Sequence, residues 1–171
     1  MYYFGYGSNM LTSRLQARVP SAEPVTTASL QDWALCFHKR SRDGSGKCNI
    51  VPDDDSHVEG VVFDVSGADL HALDEAEQRG RGYERRSLLV YNGTEPVEAF
   101  AYIAQPAYVD DALLPYDWYH ALVLAGARQH NLPPSYVSEI ETVRSYPDPN
   151  RERRRAHQAL LQQAGFSLLP Q

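Results

Sequence analysis

Residues 1–10 read MYYFGYGSNM, and within them Phe4-Gly5-Tyr6-Gly7-Ser8-Asn9 decides how the chain is built. Tyr2-Tyr3-Phe4 has the aromatic composition of a short strand, whereas Met10-Leu11-Thr12-Ser13-Arg14-Leu15 takes up helical spacing. The glycines, serine and asparagine therefore mark a strand-to-helix junction. Small consecutive residues expose backbone N–H groups, and at a helix start these groups point outward with a favourable dipole. Such a turn binds a carboxylate or an oxyanion. The plainer alternative is a tight turn that needs glycine only for positive φ.

Other catalytic readings of the glycines fail on spacing. Gly5-x-Gly7 has Met10 where a dinucleotide fingerprint needs its third glycine. Gly44-Ser45-Gly46-Lys47 has Ser41 and Cys48 where a Walker loop needs glycine and Ser or Thr. Ser8 lacks the flanking glycines of a nucleophile elbow, and none of the six histidines sits in a partner motif for it.

Downstream, residues 34–37 and 49–51 are brief apolar segments on either side of a loop-forming stretch, 41–46. Residues 58–65 form a nearly continuous β-branched and aromatic run, the pattern of a strand buried on both faces. Ser66-Gly67-Ala68-Asp69 matches a capping box and predicts a helix over 68–78, stopped by Gly80 and Gly82. Residues 84–91 and 97–104 read as strands joined through Asn92-Gly93. Beyond Pro106, Trp118, Leu122 and Gly126 share one helical face, and Pro133-Pro134 opens a second helix. A third, over 151–164, lies on the body through Leu160 and Leu161. Short strands followed by helices predict a single α+β domain, 1–171, with a curved or closed sheet and 147–171 as a C-terminal helical extension.

Lys and Arg total 16 against 22 Asp and Glu, a net charge of −6 that opposes binding to nucleic acid or anionic membrane. The expected partner is a small molecule, with the chain a monomer or homodimer. No apolar run approaches the roughly 18 residues of a membrane helix, and no secretory leader is visible, so the expected location is cytoplasmic. Cys36 and Cys48 are too few for a disulfide framework and form no zinc set, so no metal is expected. Asp53-Asp54-Asp55 reads as a solvated turn, and the run from Arg151 to Arg155 as an exposed helix face.

Leu73-Asp74-Glu75-Ala76-Glu77 is the second candidate for chemistry. On a helix, Glu77 falls about 20° from Leu70 and about 40° from Leu73, so it continues the apolar stripe while Glu75 faces water. Asp74 lies at the edge of the stripe. A carboxyl that loses hydration in this way is poised for proton transfer. The alternative is that the helix frays before Glu77, or that Arg79 or Arg81 pairs with it.

Tyr3-Phe4-Gly5-Tyr6-Gly7-Ser8-Asn9 together with Leu73-Asp74-Glu75-Ala76-Glu77 resembles the γ-glutamylcyclotransferase family, and the likeness extends to Gly126-Ala127-Arg128 and Leu132-Pro133-Pro134-Ser135-Tyr136. The resemblance implies a small mixed β-barrel flanked by helices, with no metal or organic cofactor. It implies attack of a γ-glutamyl α-amine on its own γ-carbonyl, giving 5-oxoproline and a released amino acid or amine. Glu77 corresponds to the catalytic acid/base, Tyr6, Gly7, Ser8 and Asn9 to the substrate-holding loop, and Tyr119 to a pocket tyrosine. Gln78-Arg79-Gly80-Arg81-Gly82-Tyr83 is more basic than the family pattern, so Arg79 and Arg81 favour an anionic leaving portion. The alternatives are a γ-glutamyl-amine, glutathione or an acyl-protected metabolite as substrate, or a non-catalytic module that binds carboxylates.

Overall fold

A computed structural model of the chain describes residues 1–168. Five strands close a mixed barrel in the order β1-β3-β2-β4-β5. β1 (Tyr2–Gly5) runs antiparallel to β3 (Gly46–Asp64) and meets β5 (Glu95–Ala104) in parallel at Tyr3 opposite Phe100, the contact that shuts the cylinder. β2 (Glu23–Arg40) pairs antiparallel with β3 and touches β4 (Tyr83–Asn92) at Ser29 opposite Tyr91. β4 and β5 form an antiparallel hairpin. The α+β class and closed sheet expected from the sequence are both present.

The hairpin turn falls one residue later than Asn92-Gly93 suggests. Asn92 pairs with Glu95, leaving Gly93 and Thr94 as the link. Of the two, Gly93 alone has positive φ (61°), as the first central residue of a II′ turn requires.

β2 and β3 are far longer than the separate apolar segments indicated, at 18 and 19 residues. Register shifts between Pro24 and Thr26, Gln31 and Trp33, and Cys36 and Lys39 let pairing continue past polar stretches. Asp32, with φ of 63°, marks the second shift. Opposite it, Asp53-Asp54-Asp55 are exposed strand residues rather than a turn. The distal half of this hairpin is tied to β5, where Asn49 Oδ1 accepts the Ala104 N–H at 2.8 Å.

α2 (Leu70–Ala76) is shorter than its predicted span. The capping box does not form, because the Asp69 carboxylate accepts the Ser21 N–H at 3.1 Å instead, and Ser66 Oγ accepts from Ala68 N at 3.2 Å. The helix closes in a Schellman motif: Gln78 N–H donates to Glu75 O at 3.0 Å and Arg79 N–H to Asp74 O at 2.9 Å. Gln78, not a glycine, takes the left-handed conformation (φ 53°) that this closure needs.

α3 (Asp117–Gln129) is buried from Asp117 through Ala127, since it packs against the Ser8–Met10 turn, α4 (Pro134–Glu141) and α5 (Arg151–Gln163). A Cβ on Gly126 would stand 2.5 Å from Met10 Cβ and 2.6 Å from Leu11 N, so glycine alone permits this approach. Among the described residues, no helix is long and apolar enough to cross a membrane.

α5 starts at Asn150, whose side chain accepts the Arg153 N–H at 2.9 Å, and buries Leu161 fully. Its arginines do more than face solvent. Arg153 forks onto Asp148 at 2.6 and 2.7 Å, and Arg154 reaches Asp117 at 2.7 Å. His157 stacks on Trp118 with ring centroids 3.7 Å apart. Burial, with Arg14, Lys47 and Arg18 nearby and only Asp148 opposing, pushes the His157 imidazole down to about 4.

In the unfolded chain that imidazole protonates near its ordinary 6.5. Its contribution to stability is therefore fully present above pH 6.5 and is lost as pH falls toward 4. After allowance for solvent screening of a half-buried ring, about 1 kcal/mol should disappear between pH 7 and pH 5. Urea unfolding of the unsubstituted chain against His157→Phe isolates this share, because the variant should lose correspondingly less over the same interval.

Candidate active site

β1 gives way through Tyr6 and Gly7 to a single 3-10 turn, Ser8–Met10, closed by Met10 N–H to Gly7 O at 2.9 Å. Leu11 is extended (ψ 107°) before α1 (Thr12–Gln16) begins, so the continuous helix expected from Met10 is split. A one-turn helix has little dipole to offer an anion. Side chains supply the positive charge instead. Arg14, 8% exposed, donates from Nε to Ser8 Oγ at 3.1 Å. Arg18 donates to Asn9 Oδ1 at 3.3 Å and to Glu77 Oε1 at 3.4 Å. Arg14 has no carboxylate partner among the described residues, and burial, reinforced by Arg18, pushes it down to about 10.

Glycine serves the turn by closeness. Neither Gly5 nor Gly7 has positive φ. A Cβ on Gly7 would stand 3.0 Å from Cys48 Cβ and 3.4 Å from Tyr119 Oη. The plainer reading of the turn, in which glycine is needed for φ alone, is thereby set aside.

Glu77 is the C-cap residue of α2, directly before left-handed Gln78, and the helix end aims its side chain across the turn. Its Oε1 accepts Asn9 Nδ2 at 2.9 Å, and the side chain is 16% exposed. Neither Arg79 nor Arg81 pairs with it. Arg79 binds Asp74 at 3.0 Å, where Tyr102 Oη (2.7 Å) and Arg85 (3.3 Å) also converge. Burial opposes ionisation of Asp74, but those donors outweigh it and hold the carboxyl below the usual range. Asp74 thus clamps α2 to the barrel, and Glu77 is the carboxyl that borders the pocket.

Tyr6, Gly7, Ser8, Asn9, Tyr119 and Glu77, all singled out from sequence, line one small pocket with an open mouth. Four further walls, Tyr3, Cys48, Tyr83 and Tyr102, escaped sequence reasoning. Tyr3 is buried along with Phe4 and Gly5 on β1, so no alternation along the strand singles it out. Cys48, Tyr83 and Tyr102 lie on strands whose meeting depends on barrel closure, and no local pattern marks them.

Burial pushes the hydroxyls of Tyr3, Tyr6, Tyr83, Tyr102 and Tyr119 upward, so all five are neutral at ordinary pH. Tyr6 donates to Tyr102 O, and Tyr83 donates to Cys48 O at 2.6 Å. Tyr3 Oη instead accepts from Asn9 Nδ2 at 3.1 Å, Ser8 Oγ accepts from Arg14, and Tyr119 Oη accepts the Cys48 N–H at 3.1 Å. Each of these three keeps its own hydrogen to donate, with only the weakly accepting Cys48 sulfur beside Tyr119. Because Arg14 can give a proton contact but take none, Ser8 has no base and is a donor rather than a nucleophile. Burial pushes the Cys48 thiol up to about 12, which leaves it inert as well.

The pocket thus sets one largely buried carboxyl beside hydroxyl donors backed by guanidinium, and the chain that builds it is matched over residues 3–121 by a family model described as gamma-glutamyl cyclotransferase, AIG2-like. The chain belongs to the γ-glutamyl cyclotransferase, AIG2-like family. That span includes every pocket residue named above. The human γ-glutamylcyclotransferase is 28% identical to this family member, with 82% of this chain and 77% of the human protein covered. The mouse γ-glutamylcyclotransferase is 27% identical at the same coverage. A solved γ-glutamyl cyclotransferase superposes with a TM-score of 0.82 at 26% identity, covering 91% of this chain and 95% of its own. A yeast γ-glutamyl cyclotransferase specific to glutathione shares the fold alone, with a TM-score of 0.59 at 13% identity and coverage of 88% and 98%. Family membership and these relatives support γ-glutamyl cyclotransferase activity for the chain.

Proposed function

We propose that the chain converts a γ-glutamyl compound to 5-oxoproline and a free amine, with Glu77 as the general acid/base. The juxtaposition of the Glu77 carboxyl with Asn9 inside the pocket, at 2.9 Å, supports this reading above all. In the reaction the α-ammonium gives a proton to Glu77, and the freed amine attacks the γ-carbonyl carbon. The new C–N bond closes a five-membered ring, and the old C–N bond breaks as the leaving nitrogen is protonated. Two protons leave the α-nitrogen and two reach the departing amine, so one carboxyl can pass them in turn, and no water, oxidant or reductant is consumed.

Because attack is intramolecular, holding the glutamyl chain folded supplies much of the acceleration. Tyr3, Ser8 and Tyr119 present the hydrogens that an α-carboxylate or the tetrahedral oxyanion accepts. Arg14 strengthens Ser8 as a donor through its charge. The neutral tyrosines of the pocket walls compete with Glu77 for no proton at working pH.

Incubation with a panel of neutral and acidic γ-glutamyl amino acids and γ-glutamyl amines, with 5-oxoproline detected by mass, should yield product from at least one class. Silence across the panel from folded protein overturns the proposal.

A further inference from the structure

Behind the Tyr83 wall of the pocket and in the neighbouring cleft lie cations to which the cyclisation gives no task. Lys39, near the end of β2, is 4% exposed, yet its ammonium makes no ion pair or hydrogen bond among the described residues. Its Nζ lies 4.7 Å from the centroid of the Tyr83 ring, and that tyrosine is a wall of the pocket. On the other side, a Cβ on Gly82 would stand 3.0 Å from Nζ, so the glycine leaves the ammonium its seat. Among the described residues the Tyr136 hydroxyl oxygen is the fully enclosed side-chain atom that lacks a partner, so Lys39 Nζ retains contact with open space.

The surroundings leave this ammonium short of a counter-charge. Burial pushes it down from its ordinary value, Glu77 is the carboxylate acting most strongly in its favour, Asp43 adds to that, and Arg42 opposes. Beside Gly82, Arg81 borders an open cleft together with Arg42, Arg79 and His71. Of its acidic residues, Asp74 holds Arg79, and Glu75 is an exposed side chain whose nearest basic group is His71 at 3.5 Å. Arg42 and Arg81 pair with no carboxylate among the described residues. In a chain of net charge −6, three cations without an ion pair among the described residues gather on this side of the site, an arrangement that suits an anion from outside.

We propose that Lys39 is the specificity-determining residue on the leaving-group side, its ammonium taking a carboxylate carried by the amine that is released. This rests on the cyclotransferase reading of the site and deepens it. The assignment passes from Arg79, which the sequence favoured and Asp74 occupies, to a lysine forty positions earlier that barrel closure brings beside Tyr83. Lys39 transfers no proton; it selects γ-glutamyl amino acids over uncharged γ-glutamyl amides, and Arg42 and Arg81 extend the same preference outward.

γ-Glutamyl-alanine and γ-glutamyl-ethylamide differ by the one carboxylate in question, and 5-oxoproline release from each is the measurement. The unsubstituted chain should favour the alanine compound by roughly tenfold or more in kcat/KM, the scale of one charge-assisted contact. In Lys39→Met the preference should collapse toward unity, with the loss falling on KM for the alanine compound, and Lys39→Arg should restore part of it. A preference near unity in the unsubstituted chain, which needs no variant, overturns the inference, as does an equal loss on both substrates in Lys39→Met. Release of 5-oxoproline from neither compound, while another member of the substrate panel is turned over, overturns this inference and leaves the cyclotransferase reading standing; silence across the whole panel overturns both.

Discussion

Glu77→Gln is expected to lower kcat/KM for 5-oxoproline formation by roughly a thousandfold, about 4 kcal/mol of barrier, while the melting temperature stays near that of the unsubstituted chain. The amide has the volume of the acid, and its oxygen still accepts the Asn9 Nδ2 hydrogen now received at 2.9 Å. The long contact to Arg18, at 3.4 Å between partly exposed side chains, adds little to stability. What the substitution removes is the ability to take a proton from the α-ammonium and return it to the leaving nitrogen. Steady-state kinetics beside a thermal melt separates the two effects. Retained turnover in the glutamine variant would transfer the proton step to another group.

Gly126→Ala should produce the largest loss of stability, about 3 kcal/mol, together with roughly tenfold lower kcat/KM. The added Cβ would lie 2.5 Å from Met10 Cβ and 2.6 Å from the Leu11 backbone nitrogen, and backbone cannot swing aside as a side-chain tip can. α3 or the Ser8–Met10 turn must move, and the turn carries both Ser8 and the Asn9 side chain that meets Glu77. Urea unfolding reads the first effect and kinetics the second. An alanine variant with unaltered stability would show that the helix and the turn give way without cost.

The parts of the site legible in the sequence are those whose chemistry is local. The turn of small residues after β1 and a carboxyl on the apolar stripe of α2 announce themselves by spacing, and the fold brings them to one pocket. The helix dipole invoked for the turn was the wrong source of charge, because ψ of 107° at Leu11 cuts the helix off after one turn. Arg14 and Arg18 do that work, yet on paper they are ordinary helix arginines. The capping box misled for a related reason: Asp69 had a tertiary partner in the Ser21 N–H, and distance along the chain gives no hint of it. The two long strands look like fragments in the sequence because register shifts at Val25, Asp32 and Phe37-His38 interrupt the alternation without ending the ladder. Tyr83, Tyr102, Cys48 and Lys39 required the closed barrel to be seen at all.

The left-handed residue that ends α2 has an evolutionary consequence. Gln78 seals the helix through its own amide and that of Arg79, so Glu77 is fixed by the α2 clamp at Asp74. The segment that follows can lengthen, shorten or change charge without dragging the carboxyl with it. Residues 80–82 and the Lys39 seat beside them therefore form a module in which descendants of this scaffold could exchange one released amine for another while inheriting the same ring-closing step.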